Sequence, residues 1–148
     1  MIALDTNILV YAEATSDTSD RHVAARSLIL QLGPTGAVVP LQVLAEFLNV
    51  CRRKAMLAPD SAIARMASYA EIFDTPETQQ ADLTAAATMA ARFGLAFFDA
   101  LICTVSQRAG AQVLLSEDMA DGMIVDQLRI CNPFMPRNRD LLNALLGA

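Results

Sequence analysis

The N-terminal stretch of the chain, IALDTNILVY over residues 2–11, places an acid between two apolar runs. The first run, Ile2 to Leu4, predicts a short buried strand that ends at Asp5, and the apolar residues from Ile8 onward predict a helix after it. A strand followed by a helix is the building unit of a parallel sheet covered by helices. Ligands bind beyond the carboxyl ends of the strands in such sheets, so Asp5 is the first candidate functional residue.

The alternation of strands and helices continues along the chain. Two further strands are predicted at 36–39 and 112–115, and two weaker ones at 123–125 and 129–131. After the helix that follows Asp5, a second helix is predicted at 23–32, with Thr18-Ser19-Asp20 as its N-cap. Further helices are predicted from Pro40, from Pro59, at about 77–92 and at about 98–108. Residues 138–148 form either a last helix or a loose tail. The pattern predicts an α/β protein with a central parallel sheet, in a single domain over residues 1–148.

Composition narrows the function classes. The chain is 54% apolar, but charged residues interrupt every apolar run and no export signal is present, so a cytoplasmic protein without a membrane span is expected. Cys51, Cys103 and Cys131 lack the close spacing of zinc or redox motifs, which predicts reduced core thiols. The net charge of -5 disfavours contact with a polyanion unless a cation intervenes.

Four acids lie in unusual surroundings. Asp5 and Asp118 follow predicted strands, whereas Glu46 and Asp99 lie in two of the most apolar predicted helices. Each has a simpler explanation, since Asp5, Asp99 and Asp118 could cap helices or turns and Glu46 could reach solvent. A lone carboxylate in apolar surroundings is costly, however, unless something pairs with it.

If the four acids converge, the repulsion between their carboxylates has to be offset by positive charge. At about 5 Å spacing and an effective dielectric constant of about 20, each pair of carboxylates repels by roughly 3 kcal/mol. One or two divalent cations would offset that repulsion, and hard oxygen ligands favour Mg²⁺ or Mn²⁺. Two such ions would also bring the net charge from -5 to -1. The sequence therefore predicts a metal centre through which a nucleic acid could be approached.

Four strings in order resemble the signatures of PIN domains, and most closely those of VapC-like toxins. They are LDTNIL at 4–9, LAEF at 44–47, GLAFFDALI at 94–102 and LLSED at 114–118, and the similarity extends to Asn132-Pro133-Phe134. The resemblance implies a PIN-like three-layer α/β/α sandwich and RNA cleavage that depends on Mg²⁺ or Mn²⁺. It also implies a homodimer and inhibition by a cognate antitoxin. The apolar strand that relatives often have near residues 74–77 is missing here, which leaves the width of the sheet open.

The same resemblance assigns roles to individual residues. Asp5, Glu46, Asp99 and Asp118 match the metal-binding acids, and Thr6, Asn7 and Ser116 match polar supporting positions. For the mechanism, our hypothesis is that Asp5 and Asp99 are the inner ligands of the metal. The spacing from Ser116 favours Asp118 over Glu117 as the fourth acid, with Asp121 one helical turn further on as an outer ligand.

Several assignments stay open at the sequence level. Arg52, Arg53 and Lys54 either steer RNA or only complement the end of their helix, and the same holds for Arg137 and Arg139 on a solvated tail. The single histidine, His22, is expected to be a surface residue, so no histidine-based triad is arguable.

Two other functions remain as alternatives. One is a PIN-like module that binds nucleic acid or a regulatory partner without cleaving. The other is a phosphatase with Asp5 as nucleophile, which ranks lower because Asn7 occupies the position where the phosphatases used for comparison have a second aspartate.

Overall fold

The protein, seen in a computed structural model, is described for residues 1–16 and 19–147. The strands are β1 (Ile2–Leu4), β2 (Val113–Leu115), β3 (Ile124–Val125) and β4 (Leu128–Cys131). The helices are α1 (Thr6–Glu13), α2 (Asp20–Leu32), α3 (Leu41–Arg53), α4 (Pro59–Ile72), α5 (Gln80–Phe93), α6 (Phe97–Arg108) and α7 (Arg139–Leu146). Short 3₁₀ turns lie at Gly33–Thr35 and Pro136–Asn138.

The sheet has the strand order β1-β2-β4-β3. Strands β1, β2 and β4 are parallel, with Leu4 opposite Leu115 and Leu115 opposite Cys131. The expectation of a parallel sheet needs one correction, because β3 pairs antiparallel with β4. Only two residues, Asp126 and Gln127, connect these strands, and a connection that short can form a hairpin but not a parallel crossover.

The predicted strand at 36–39 is reduced to a single position. Val38 forms parallel bridges to Ala3 on one side and Asp74 on the other, and its amide donates to the carbonyl of Ile2 at 2.8 Å. Gly36, in the left-handed region at φ 78°, and Pro40 confine this extended segment from both ends. The sheet thus continues beyond β1 through isolated bridges, which answers the question of its width.

The predicted helices are present, with shifted ends. Helix α2 begins at Asp20, while Thr18 of the predicted N-cap lies outside the described residues. The open choice for the C-terminus is decided in favour of a helix, α7. Gly94 ends α5 in the left-handed conformation at φ 67°, and α6 starts only three residues later. This tight connection fixes the start of α6, where Asp99 lies.

Helices cover the sheet, as expected for the α/β/α sandwich. All residues of β1 and β2 are buried, which requires covered faces on both sides. Cys51, Cys103 and Cys131 are free and buried, which confirms the prediction of core thiols. Among the described helices, none alone has the length and apolarity of a membrane span, and only the pair α5 and α6, bent by 117°, meets that criterion jointly.

Candidate metal centre

The carboxyl ends of β1 and β2 bring the first and last predicted acidic segments together. The strands are in register at Leu4 and Leu115, and the amide of Asp5 donates to the carbonyl of Leu115 at 3.0 Å. Ser116, the first residue after β2, donates its hydroxyl to Oδ2 of Asp5 at 2.7 Å. Residues 111 apart in sequence are therefore joined directly at one sheet edge.

Asp5 is the most buried acid of the predicted set, with 5% of its surface exposed. Its Oδ1 accepts from the Thr6 amide at 2.7 Å, so it caps α1, as the simpler explanation proposed. Burial raises the pKa of Asp5 to about 6, although the bonds from Ser116 and Thr6 oppose this shift, and the charges of Asp99 and Glu46 add to it. A cap alone would not be crowded by two other carboxylates.

Glu46 on α3 is half-buried and held by two donors. The Thr6 hydroxyl donates to its Oε2 at 2.8 Å, and the Gln42 amide donates to its Oε1 at 2.9 Å. The same Gln42 nitrogen lies 3.3 Å from the carbonyl oxygen of Phe98 and donates to it. Glu46 is thus fixed between the starts of α1 and α6 and does not simply extend into solvent.

Asp99 and Asp118 complete the set. Asp99 lies half-buried in the first turn of α6, and burial raises its pKa, assisted by the negative charges of Asp118 and Glu46. Asp118 is exposed and its Oδ2 accepts from the Asn7 side chain at 2.6 Å. All four acids therefore belong to one electrostatically connected cluster, with Thr6, Asn7 and Ser116 bonded to three of them.

Several other acids of the protein are neutralised by ion pairs with arginine. Ion pairs join Arg21 to Glu117, Arg65 to Glu13, Arg92 to Asp126, Arg108 to Asp82 and Arg137 to Asp121. Within residues 1–16 and 19–147, no such ion pair reaches Asp5, Glu46, Asp99 or Asp118. Four carboxylates without a cationic side chain form a centre of concentrated negative charge.

Comparison with known protein families assigns the chain to one of them. The family described as "PIN domain" matches residues 2–120, which is most of the chain and spans all four acids. The chain belongs to the PIN-domain family. No curated protein matches the sequence significantly.

Solved structures share the fold of this PIN domain at low sequence identity. VapC20 of Mycobacterium tuberculosis, described as a toxin that cleaves the sarcin-ricin loop, aligns with a TM-score of 0.66 at 20% identity over 80% of this chain and 90% of its own. VapBC2 of Rickettsia felis, solved with a DNA fragment from its promoter, gives 0.65 at 14% identity over 88% and 97%. PAE2754 of Pyrobaculum aerophilum gives 0.64 at 16% identity over 99% and 94%.

The acid cluster suits a hard divalent cation that keeps part of its water shell. Among the described residues, no three Asp, Glu, His or Cys side chains are arranged as a ready-made cage. Mg²⁺ is usually held by one or two carboxylates and several waters, so a closed cage is not what this ion requires. All of the candidate ligand atoms are carboxylate oxygens. No lysine or arginine of the described residues is ion-paired with them, and burial raises the pKa of one of them, Asp5. These residues fit such an ion.

The identity of the fourth acid can now be argued from contacts. Glu117 pairs with Arg21 at 2.8 Å and faces Tyr11, whose pKa is raised to about 12 by burial and then by Glu117. Asp121 accepts from the Asn132 amide, the Asn138 side chain and Arg137. The structure therefore does not bring Asp121 to the acid cluster as the outer ligand that the sequence suggested. Asp118 is the member of this segment that faces Asp99.

The predicted basic residues remain separate from the cluster. Arg52, Arg53 and Lys54 are exposed at the far end of α3, roughly 10 Å along the helix axis from Glu46. Arg137 is bound to Asp121 and Arg139 is exposed at the start of α7.

Two residues were misjudged or missed by sequence reasoning. His22 is half-buried and its Nδ1 lies 2.8 Å from the Tyr11 carbonyl oxygen, so it is not a plain surface residue. Gln42 was missed, although its position one helical turn before Glu46 was a usable signal.

Proposed function

We propose that this PIN domain is a metal-dependent endoribonuclease and the toxin of a toxin–antitoxin pair. The proposal rests on the cluster of Asp5, Glu46, Asp99 and Asp118. Within the described residues, no lysine or arginine forms an ion pair with any of these four acids. Several structural neighbours support the biological setting, because they are described as VapC toxins or toxin–antitoxin complexes. From this proposal we expect three partners, namely an RNA substrate, a cognate antitoxin and a second copy of the chain.

The cofactor that fits is Mg²⁺ or Mn²⁺. When bound, such an ion would lower the pKa of water and offset the charge that develops on a phosphate. Asp5 and Asp99 would hold it directly, and Glu46 and Asp118 would complete its surroundings. The hydrogen bonds from Thr6 and Ser116 fix the carboxylates of Glu46 and Asp5, so both are oriented before any ligand arrives.

Asp118 is the group best suited to handle the proton of the attacking water. It is the exposed member of the cluster, and its Oδ2 accepts from Asn7, which leaves Oδ1 for a water. Both oxygens of Asp5, in contrast, already accept hydrogen bonds from Thr6 and Ser116.

The proposal is tested by cleavage of a mixed pool of RNA oligonucleotides in Mg²⁺ or Mn²⁺. Native protein freed of any partner should cleave the pool, and a chelator should stop the cleavage. Asp5→Asn and Asp99→Asn should each lower the rate by more than about a hundredfold, which exceeds the usual effect of removing a residue that only supports a metal ligand. Glu117→Gln is the matched control, because Glu117 adjoins Asp118 but pairs with Arg21. A native protein that leaves RNA intact would favour the non-cleaving alternative.

A further inference from the structure

Two aromatic side chains lie on the surface immediately before Asp99. Phe98 is 63% exposed and Phe97 is 37% exposed. In the described part of the chain, every other phenylalanine and tyrosine is buried or half-buried. Water-exposed rings of this size are commonly binding surfaces, since each offers a large apolar area at low conformational cost.

The two rings are held in a defined arrangement beside the acid cluster. Their centroids are 5.3 Å apart and their planes are inclined at 75°, an edge-to-face contact that leaves flat ring surface available to a third ring. The Phe98 carbonyl accepts from Gln42, which also donates to Glu46. The same side chain thus anchors the Phe98 backbone and one of the acids.

We propose that Phe98, supported by Phe97, stacks against an unpaired base of the RNA next to the phosphate that is cleaved. This inference rests on the proposed function and narrows its substrate to single-stranded or loop RNA, whose bases can leave their stack. Adjacent Cα atoms are about 3.8 Å apart, and a stacked strand advances about 3.4 Å per nucleotide. Because Phe98 adjoins Asp99 and its carbonyl accepts from the Gln42 side chain that also holds Glu46, we expect its ring to reach a base one or two nucleotides from a phosphate bound at the acids.

The charge of the protein makes stacking important for binding. The chain has a net charge of -5, and five of its eleven Lys and Arg residues are engaged in the ion pairs described above. Attraction between basic side chains and phosphates, the usual source of RNA affinity, is correspondingly small. Base stacking on an aromatic ring does not depend on net charge and is strongest for large bases.

The test is a set of binding titrations with three 12-nucleotide probes. The probes are oligoadenylate, oligouridylate and a strand of the same length that lacks all bases. Fluorescence anisotropy is measured in calcium on ice, and a gel after each titration verifies that the probe is intact. Native protein should bind oligoadenylate most tightly and the abasic strand most weakly.

The variants isolate the ring itself. Phe98→Ala should weaken oligoadenylate binding by about five- to hundredfold and leave the abasic strand unchanged, whereas Phe98→Trp should retain the affinity. Ile63→Ala is the control, because it removes an exposed apolar side chain from α4. Thermal melting verifies that each variant is folded, as expected for an exposed position.

Three results would overturn the stacking site. The first is native protein that binds all three probes equally or none of them, and the second is Phe98→Ala that loses affinity equally for all three. The third is Phe98→Ala with native affinity and an altered mass by light scattering, which would show that the rings cover a protein interface. Cleavage of the mixed RNA pool is measured in parallel, so that a failure of the stacking site can be told apart from a failure of the proposed function. If the native protein cleaves RNA and Phe98→Ala binds oligoadenylate as the native protein does, only the stacking site is overturned.

Discussion

Asp5 combines the structural role of a helix cap with the metal-binding role that we propose for it. Its carboxylate caps α1 and accepts from Ser116, yet it is buried beside Glu46 and Asp99 without a cationic partner in the described chain. Caps usually stabilise a helix by about 1 kcal/mol. At this residue the gain is offset by the cost of burying a charge among like charges.

The raised pKa of Asp5 predicts a pH dependence of stability without metal. Because this pKa is raised from 3.8 to about 6, the stability linked to it is fully present below about pH 4 and is lost as the pH rises through 6. Asp5→Asn keeps the cap and removes this loss, which should make it more stable than native protein at pH 7.5 by on the order of 3 kcal/mol. Urea unfolding in chelator at pH 4.5 and 7.5 measures the difference. Equal pH slopes for the two proteins would refute this assignment.

Ser116 offers a second prediction at the same scale. Ser116→Ala removes a donor to Asp5, so cleavage of RNA should fall about 10- to 100-fold, as for other outer partners of a metal. Ser106 is an equally buried serine whose hydroxyl has no partner within the described chain. Ser106→Ala should leave the rate unchanged and be neutral or stabilising. An equal loss of rate in both variants would mean that packing, and not the hydrogen bond, is responsible.

Among the elements, α6 carries residues on which both proposals depend. Its first turn carries Phe98 and Asp99, and its last residue, Arg108, binds Asp82 on α5 through two bonds of 3.0 and 2.9 Å. Asp82 is only 4% exposed, and the hydrogen bond from Arg108 lowers its pKa although burial opposes that shift. The far end of α6 is thereby fixed to α5.

Removing this ion pair should destabilise the protein. Arg108→Ala leaves Asp82 buried and unpaired, which should cost about 2 kcal/mol of unfolding free energy after allowance for the one-third exposure of the arginine. The loss should shrink as the pH falls and Asp82 becomes protonated, because a lowered pKa stabilises only while the group is charged. Arg92→Ala, which breaks an exposed pair, is the control with an expected cost below about 1 kcal/mol. Equal losses in the two variants at pH 7 would contradict the account.

Across the molecule, the sequence predicted the central strands of the sheet better than its edges. The periodicity of apolar residues located the central strands, and the carboxyl ends of β1 and β2 are adjacent, which brought Asp5 to Ser116 as expected. The antiparallel direction of β3 was not predicted, because apolar periodicity does not encode strand direction. The hydrogen bonds of Asp121 were not predicted, because its partner Arg137 lies 16 residues further along the chain and no local pattern pairs the two.

If four acids distant in the chain share a divalent cation, calorimetric titration with Mn²⁺ should detect that site. Native protein should bind Mn²⁺, Asp5→Asn and Asp99→Asn should each weaken binding by more than about tenfold, and Glu117→Gln should bind as native protein does. Native protein that binds no Mn²⁺, or two aspartate variants that bind it as tightly as native protein, would contradict the account.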